Sequence, residues 1–326
     1  MKKMEVKKRG VVPGSGGTTG APVQVSSTRS YWKRHWSLYA MLLLPIVFVF
    51  IFSYIPMVHL ARGFAVNNTI LPVTQLTFVG FDNFRQAFAM APFTNAIRNT
   101  IMFSILDLIV GFPAPVILAI MLNELKFERF KKVSQAISYV PHFISWIIVG
   151  GLATSLLATG GGAVNGIIYN LFGVGPIPFL ETNTNWIVSN VLIAVWRSVG
   201  WGSIIYLAAI TNVNPEYYEA AEMDGASRMR KIWHITLPGI RPTIAIMFIL
   251  NLGGIMQASL DRFLALENSF VRQVSDVIPT FIWRWGIGSQ QFALATAIGI
   301  FQSMIGMILL LLGNAFVKKL GGAGFW

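Results

Sequence analysis

A polar, helix-like segment at residues 216–240 interrupts a chain that is otherwise rich in aliphatic and aromatic residues. Carboxylates open the segment, Gly225 divides it, and basic side chains follow; the charged residues are Glu216, Glu219, Glu222, Asp224, Arg228, Arg230 and Lys231. A short helix with small residues at its tip suits a groove on another protein. The alternative is a solvated amphipathic loop with no partner.

Sequence motifs of enzymatic chemistry are absent. No G-x-x-x-x-G-K-[ST] or G-x-S-x-G sequence occurs, the four histidines are scattered without metal-ligand spacing, and there is no cysteine. A membrane-embedded transferase would need a cluster of acids or histidines at one membrane interface, and the sequence has none. We expect a chain with no catalytic residue, no metal and no cofactor of its own, to which another subunit supplies the energy.

Arg197 lies near the middle of a long apolar run, beside Trp196 and four residues before Trp201. Ionisable groups inside membrane spans are costly and are usually functional or paired. Two interpretations remain open. Arg197 and Trp201 share a helical face that suits a sugar, or Arg197 pairs with an acid such as Asp107 and fixes helix packing.

A second polar group follows the segment that contains Gly225. At 100° per residue its members fall within an arc of about 120° on one helix; they are Asn251, Gly254, Gln257, Ala258 and Asp261. Such a stripe lines a path for a hydroxylated solute or joins two helices. We favour the path for Asn251 and Gln257, and helix packing for Gly254.

Apolar runs long enough to cross a bilayer must position these residues. The chain has 326 residues, of which 54% are hydrophobic and 12% charged, against about 25% charged in soluble domains. This composition predicts an all-α membrane protein with six transmembrane helices. The predicted spans lie near residues 38–60, 98–122, 136–158, 186–211, 243–260 and 291–317.

The distribution of basic residues predicts the orientation. Eighteen of the 25 Lys and Arg fall in the tail, the loops 123–135 and 212–242, and the C-terminus, all on one side of six spans. Basic residues accumulate in cytoplasmic loops, so both termini are predicted to be cytoplasmic. The same argument accounts for the net charge of +12 without a nucleic-acid partner. Residues 1–34 read as a basic, Gly/Ser-rich cytoplasmic tail.

The loop 212–242 contains signals for two helices. Asn214 is a good N-cap and Pro215 suits the first helical position. Gly225 tolerates the positive φ that ends a helix. We expect a second amphipathic helix that ends at Leu237-Pro238, before Pro242 opens the next span.

This loop resembles the EAA loop of the membrane subunits of ATP-binding-cassette importers. The match comprises Glu219-Ala220-Ala221, Gly225, Ile235 and Leu237-Pro238 at the family's spacing, before the penultimate span. The resemblance extends over residues 35–326 and implies a type I permease domain. It also implies that the loop docks on a cytoplasmic ATPase, through Glu219, Ala220, Ala221, Asp224, Gly225, Leu237 and Pro238.

The C-terminal sequence is similar to the branch of this family that handles oligosaccharides and complex polysaccharides, with alginate as one candidate cargo. The resemblance implies a second permease subunit, two ATPase subunits that bind ATP and Mg, an extracytoplasmic solute-binding protein, and the bacterial inner membrane. The alternative is a self-contained carrier or channel. That class needs an inverted repeat or a chain of intramembrane acids, and only Asp107 lies well inside a span.

Overall fold

The computed structural model describes residues 28–67 and 72–319. Within those ranges the regular secondary structure is helical, without β-strands, and Ala65 and Phe78 form an isolated bridge. The chain divides into two compact units at Met57 and Val58. Residues 1–27 of the predicted tail lie outside the described residues, and the first helix begins at Thr28, before the predicted end of the tail at residue 34.

The first unit contains helix α1, Thr28–Val49, which continues through a π-helical turn at Phe50–Tyr54. Aliphatic and aromatic side chains dominate its sequence, and the rings of Phe48 and Phe52 lie 4.7 Å apart at the i, i+4 spacing of neighbouring helical side chains. A 3-10 helix, Ile55–Phe64, then leads into the second unit.

The second unit is built from fourteen α-helices in the part of the chain that the structure describes. They are α2 Asp82–Ala89, α3 Ala91–Leu106, α4 Pro113–Asn123, α5 Glu128–Tyr139, α6 Trp146–Leu157, α7 Ala163–Phe172, α8 Asn183–Thr211, α9 Pro215–Met223, α10 Arg228–Lys231, α11 Leu237–Gly254, α12 Leu260–Leu266, α13 Arg272–Ser275, α14 Ile278–Ile282 and α15 Phe292–Lys319.

Five helical stretches are long and apolar enough to cross a membrane, and a bent pair brings the total to six. The five are His35–Phe64, Ala91–Asn123, Asn183–Thr211, Arg228–Gly254 and Phe292–Lys319. They confirm the all-α membrane fold, although several helices begin earlier than the apolar runs suggested.

The third predicted span, residues 136–158, is not one straight helix. It consists of α5, a 3-10 turn at Val140–Phe143 and α6, with a bend of 103° between the two parts. Ile144 and Ser145 adopt extended conformations, and the Ser145 hydroxyl accepts a hydrogen bond from the Ile148 N–H to start α6. A capping serine inside an apolar run therefore marks a new helix.

The fifth span also differs from the sequence prediction. The expected stop at Leu237-Pro238 is wrong, because helix continues from Arg228 through a π-helical turn at Ile232–Thr236 and through α11. Pro238 lies in the first turn of α11, and the π-helical turn before it accommodates the changed hydrogen bonding. The predicted end near residue 260 is wrong as well, since α11 ends at Gly254.

Three apolar clusters hold the second unit together. The first joins α2, α3, α14 and α15 around Phe93 and Phe281, and the second joins α3, α6, α8 and α12 around Phe103, Trp186 and Phe263. The third joins α4, α8 and α11 and comprises Val116, Ala119, Tyr206, Ile210 and Ile240. Each of the helices α3, α4, α6, α8, α11 and α15 therefore has one face fixed by packing.

Candidate functional site

The helix that carries the EAA sequence, α9, begins with the predicted cap. The Asn214 side chain accepts a hydrogen bond from the Glu216 N–H at 3.0 Å, and Pro215 occupies the first helical position. Glu216 stands in the first turn, where negative charge is stabilised by the helix dipole. The sequence prediction of this helix start is confirmed.

Gly225 ends α9 in a left-handed conformation, with φ at +72°. The Gly225 N–H donates to the Glu222 carbonyl at 3.0 Å, and the Ala226 N–H donates to the Ala221 carbonyl at 2.8 Å. These two bonds form a Schellman motif, which satisfies carbonyls that a helix end leaves free. The Ser227 hydroxyl then accepts from the Arg230 N–H and starts α10. The predicted order of helix, glycine turn and helix is confirmed.

Two side-chain contacts hold α9 against the helical rod that follows it. The Tyr218 hydroxyl is hydrogen-bonded to the Thr236 hydroxyl at 3.0 Å, and Thr236 is buried. Lys231 donates a hydrogen bond to the Glu222 carboxylate and forms an ion pair with it. This hydrogen bond and the charge of Lys231 lower the pKa of Glu222 below its ordinary value.

The opposite side of α9 is exposed. Glu219, Ala220, Asp224 and Gly225 all lie in contact with solvent, and the neighbouring Met223 is 89% exposed. Ala221 is half-buried, and its carbonyl belongs to the cap. The exposed tip is therefore small and acidic, as a segment that enters a groove on another protein requires.

Leu237 and Pro238 lie away from this tip, at the start of α11. Leu237 lines an apolar cavity beside α4, and Pro238 is exposed. The structure therefore brings together five of the seven residues predicted for docking and places the remaining two at the base of the loop.

Arg197 does not pair with Asp107, so that hypothesis is wrong. The Arg197 Nε donates to the Ile144 carbonyl at 3.0 Å, and its guanidinium lies 4.7 Å from the centre of the Trp146 ring. Ile144 is in the break between α5 and α6, where the helical hydrogen bonds stop. Arg197 thus donates a hydrogen bond to a carbonyl that the bend leaves without a helical partner inside the membrane region. The periodicity of apolar residues could not predict this contact.

The two tryptophans predicted beside Arg197 have separate surroundings. Trp201 is stacked on His142, with ring centres 4.7 Å apart and planes 4° from parallel. Trp196 instead lines an apolar cavity of about 420 Å³ between α6 and α8. Arg197 and Trp201 therefore lie on one side of α8, against Ile144 and His142 of the break between α5 and α6, and Trp196 lies apart from them; sugar binding by this face stays a prediction.

Asp107 pairs with Arg262, a residue that the sequence analysis placed outside the spans. The Arg262 Nη1 lies 2.7 Å from the Asp107 Oδ2, and its Nε donates to the Asn190 Oδ1 at 2.8 Å. The Arg262 side chain is only 7% exposed, whereas that of Asp107 is 43% exposed. One buried guanidinium thus joins α3, α8 and α12, and leaves a neutralised carboxylate facing open space.

The predicted polar stripe on one helix is also wrong. Helix α11 ends at Gly254, an irregular segment follows, and the Ser259 side chain starts α12. Asp261 lies exposed in the first turn of α12, away from the others. The glycine pair Gly253-Gly254 marks this end of the helix, because glycine disfavours the helical conformation.

Asn251, Gln257 and Asp107 nevertheless meet in one polar cavity of about 210 Å³. Gly254, Ala258, Ser104, Ser259 and Arg262 complete its polar and small lining. Three of the six predicted path residues are therefore together, and Arg197, Trp196 and Trp201 are elsewhere.

Side chains from neighbouring helices support the irregular segment that carries Gln257. The Ser104 hydroxyl donates to the Ile255 carbonyl, and the Gln302 amide donates to the Met256 carbonyl at 2.6 Å. Non-helical backbone at membrane depth is tolerated where such partners satisfy it and where it lines a cavity. Sequence reasoning missed Ser104, Gln302 and Arg262. Arg262 follows an apolar run directly, where an arginine can also extend to the membrane interface, so its position alone does not predict a buried partner.

The described residues contain no group of three His, Asp or Glu side chains that could hold a metal ion. Six apolar segments, an exposed and capped loop helix, and a polar cavity define a membrane transport subunit. A family model described as "binding-protein-dependent transport system inner membrane component" matches residues 87–322. The chain belongs to this family and is a permease subunit of an ATP-binding-cassette importer, not an enzyme.

Three relatives from Bacillus subtilis cover most of the chain. The polygalacturonan/rhamnogalacturonan transport system permease protein YteP is 38% identical over 89% of this chain and 90% of its own length. Protein LplB is 36% identical over 94% of this chain and 97% of its own length. The arabinooligosaccharides transport system permease protein AraP of the same organism is 28% identical over 86% of this chain and 83% of its own length.

A solved structure has the same fold. The crystal structure of a bacterial alginate ABC transporter, in complex with an alginate pentasaccharide-bound periplasmic protein, contains a chain that is 36% identical to this one. The match covers 91% of this chain and 99% of the other, with a TM-score of 0.82. These comparisons support the binding-protein-dependent importer over the self-contained carrier or channel.

Proposed function

We propose that this permease carries an acidic oligosaccharide across the bacterial inner membrane, together with a second permease subunit, two ATPase subunits and an extracytoplasmic binding protein. ATP and Mg belong to the ATPase subunits in this assembly. The names of two relatives support an acidic cargo: the polygalacturonan/rhamnogalacturonan permease and the alginate transporter, at 38% and 36% identity.

The observation that carries the coupling role is the geometry of α9. A full cap at Gly225 and two contacts to the following rod fix the helix, and its other side stays exposed. An exposed helix held in one conformation loses little entropy on binding. We propose that Glu219, Ala220, Asp224 and Gly225 enter a groove on a cytoplasmic ATPase, with both chain termini on the same side of the membrane.

The polar cavity supports a role in the translocation path. Asn251 and Gln257 supply amide groups, Ser104 and Ser259 supply hydroxyls, and Asp107 supplies a carboxylate. Such groups exchange hydrogen bonds with sugar hydroxyls. The guanidinium of Arg262 is already paired, so the carboxylates of an acidic sugar require positive charge from the second permease subunit.

Two measurements on the reconstituted complex test the proposal. Binding-protein-stimulated ATP hydrolysis is followed with oligogalacturonate, alginate oligomers and neutral arabinooligosaccharides. We expect stimulation by one of the acidic sugars; stimulation by the neutral sugars alone would contradict the acidic cargo.

Gln257→Ala tests the path, and Gln75→Ala is its control. Gln75 is an exposed glutamine in a short 3-10 turn, outside the polar cavity. We expect Gln257→Ala to reduce uptake with the ATPase still bound, and Gln75→Ala to leave uptake unchanged. Equal uptake by both variants excludes Gln257 from the path.

A further inference from the structure

An apolar groove of about 560 Å³ lies between α4 and the rod that follows α9. Val116, Ile120 and Met121 form part of one wall, and Met229 and Trp233 form part of the other. All eleven residues that line it are apolar, and several are open to the surroundings: Met121, Met229 and Trp233 are each 62% exposed. A surface of this kind inside a membrane protein requires an apolar occupant.

The groove has the length of one bilayer leaflet. Its longer wall, from Met229 to Ile244, spans fifteen residues of helical rise, or about 22 Å, which matches one leaflet with its headgroups in a bilayer about 40–45 Å thick. The rings of Phe112 and Phe248 lie 5.6 Å apart, which fixes the direction of the two antiparallel walls. Met121 and Met229 therefore stand at the same end.

Basic side chains gather at that end. Arg228 precedes Met229 and lies one helical turn before Ile232, which lines the groove. Lys126 follows the end of α4, and α5 adds Arg129, Lys131 and Lys132. Arg228 is exposed, and no carboxylate in the described part of the chain forms an ion pair with it. Among the residues that the structure describes, no such group of cations lies at the Phe112 end.

We propose that this groove binds the acyl chain of an anionic phospholipid, with Arg228 holding the phosphate headgroup. Basic pockets between membrane helices are suited to anionic headgroups, and an apolar slot one leaflet long, with cations at one end only, matches the shape and charge of such a lipid. A helix of another subunit would account for the apolar walls but not for the position of the cations. The proposal depends on membrane insertion alone, so it does not stand or fall with the docking of α9 or with the cargo.

The test uses the purified transporter complex after delipidation. Phosphatidylglycerol and phosphatidylcholine of equal chain length are titrated in, and native mass spectrometry counts the bound lipids. Arg228→Gln is compared with Arg230→Gln, which removes the same charge but lies about 200° further round the helix. We expect Arg228→Gln to weaken phosphatidylglycerol binding about fivefold, because one basic side chain contributes about 1 kcal/mol to binding at an anionic surface. Arg230→Gln should have no such effect.

A second variant tests the groove itself. Met121→Trp places a larger side chain in the slot and should reduce the retention of both lipids, whatever their headgroup. Equal binding of the two lipids by the unmodified complex, or equal loss in Arg228→Gln and Arg230→Gln, would overturn the role of Arg228. A cross-link from Met121→Cys to the second permease subunit, with no lipid bound, would overturn the proposal and assign the groove to that subunit.

Discussion

Replacing Gly225 by valine tests the coupling role of α9 directly. Gly225 has a φ of +72°, and no atom lies within 4 Å of the position where a Cβ would be added. The substitution therefore strains one backbone conformation without a clash inside the chain. Its effects are confined to the cap of α9, namely the hydrogen bonds of Gly225 and Ala226, and to the surface at the exposed tip.

The magnitude follows from two contributions. A residue other than glycine costs roughly 1–2 kcal/mol in the left-handed region. This strain opens the cap in part of the molecules, and the apparent affinity for the ATPase falls by the same factor as the fraction with a closed cap. The added side chain also stands where a partner must approach, and a disturbed interface anchor costs about 2 kcal/mol or more. The sum of about 3 kcal/mol corresponds to roughly a hundredfold loss of ATPase affinity.

The assay is retention of the ATPase subunits during purification, together with ATP hydrolysis and uptake in reconstituted vesicles. Gly173→Val is the matched control, because Gly173 ends α7 with a φ of +66° and equally open space around its Cβ position. We expect Gly173→Val to retain the ATPase and Gly225→Val to lose it, while the membrane subunit remains folded in both variants. A Gly225→Val complex that retains its ATPase and transports at the normal rate would refute the docking role.

Three further predictions follow from the same geometry. A cysteine in place of Ser227 should react with an impermeant thiol reagent from the cytoplasmic side only. Labelling of this cysteine in intact cells would show that the loop is on the outer side and would contradict the predicted orientation. Asp107→Leu should reduce the folded yield more than Asp107→Leu with Arg262→Met, because the single change leaves the buried Arg262 guanidinium without its carboxylate, and an uncompensated buried charge costs up to about 3–5 kcal/mol; equal yields would exclude a stabilising pair. Glu222→Gln should raise amide exchange in the α9–α10 loop at pH 7. Because the pair with Lys231 lowers the pKa of Glu222, its contribution is complete above the ordinary pKa and disappears as pH falls through the lowered value, so the two proteins should exchange alike at acidic pH.

Local signals predicted both ends of α9 well, although the predicted end of the second loop helix was wrong. Asn214-Pro215 and Asp224-Gly225 specify a start and a stop through hydrogen bonds and φ values that depend on neighbouring residues alone. The apolar runs predicted the membrane fold for a similar reason, since a span needs length and composition rather than any particular partner.

Features that depend on contacts between distant segments could not be predicted. The partner of Asp107 is 155 residues away, and the choice between Arg197 and Arg262 depends on a bend near Ile144 that the apolar pattern does not reveal. Asn251 and Gln257 were identified correctly as neighbours, but they meet because α11 ends and the chain turns, not because they share a helical face.

The uninterrupted helix from Arg228 to Gly254 acts mechanically as a lever. At 1.5 Å per residue it places Asn251 about 35 Å from Arg228, so a tilt of about 5° at the Arg228 end displaces Asn251 by about 3 Å. That displacement is comparable to the length of a hydrogen bond. A small rotation beside α9 is therefore enough to make or break contacts in the polar cavity, with no change in the internal structure of the helix.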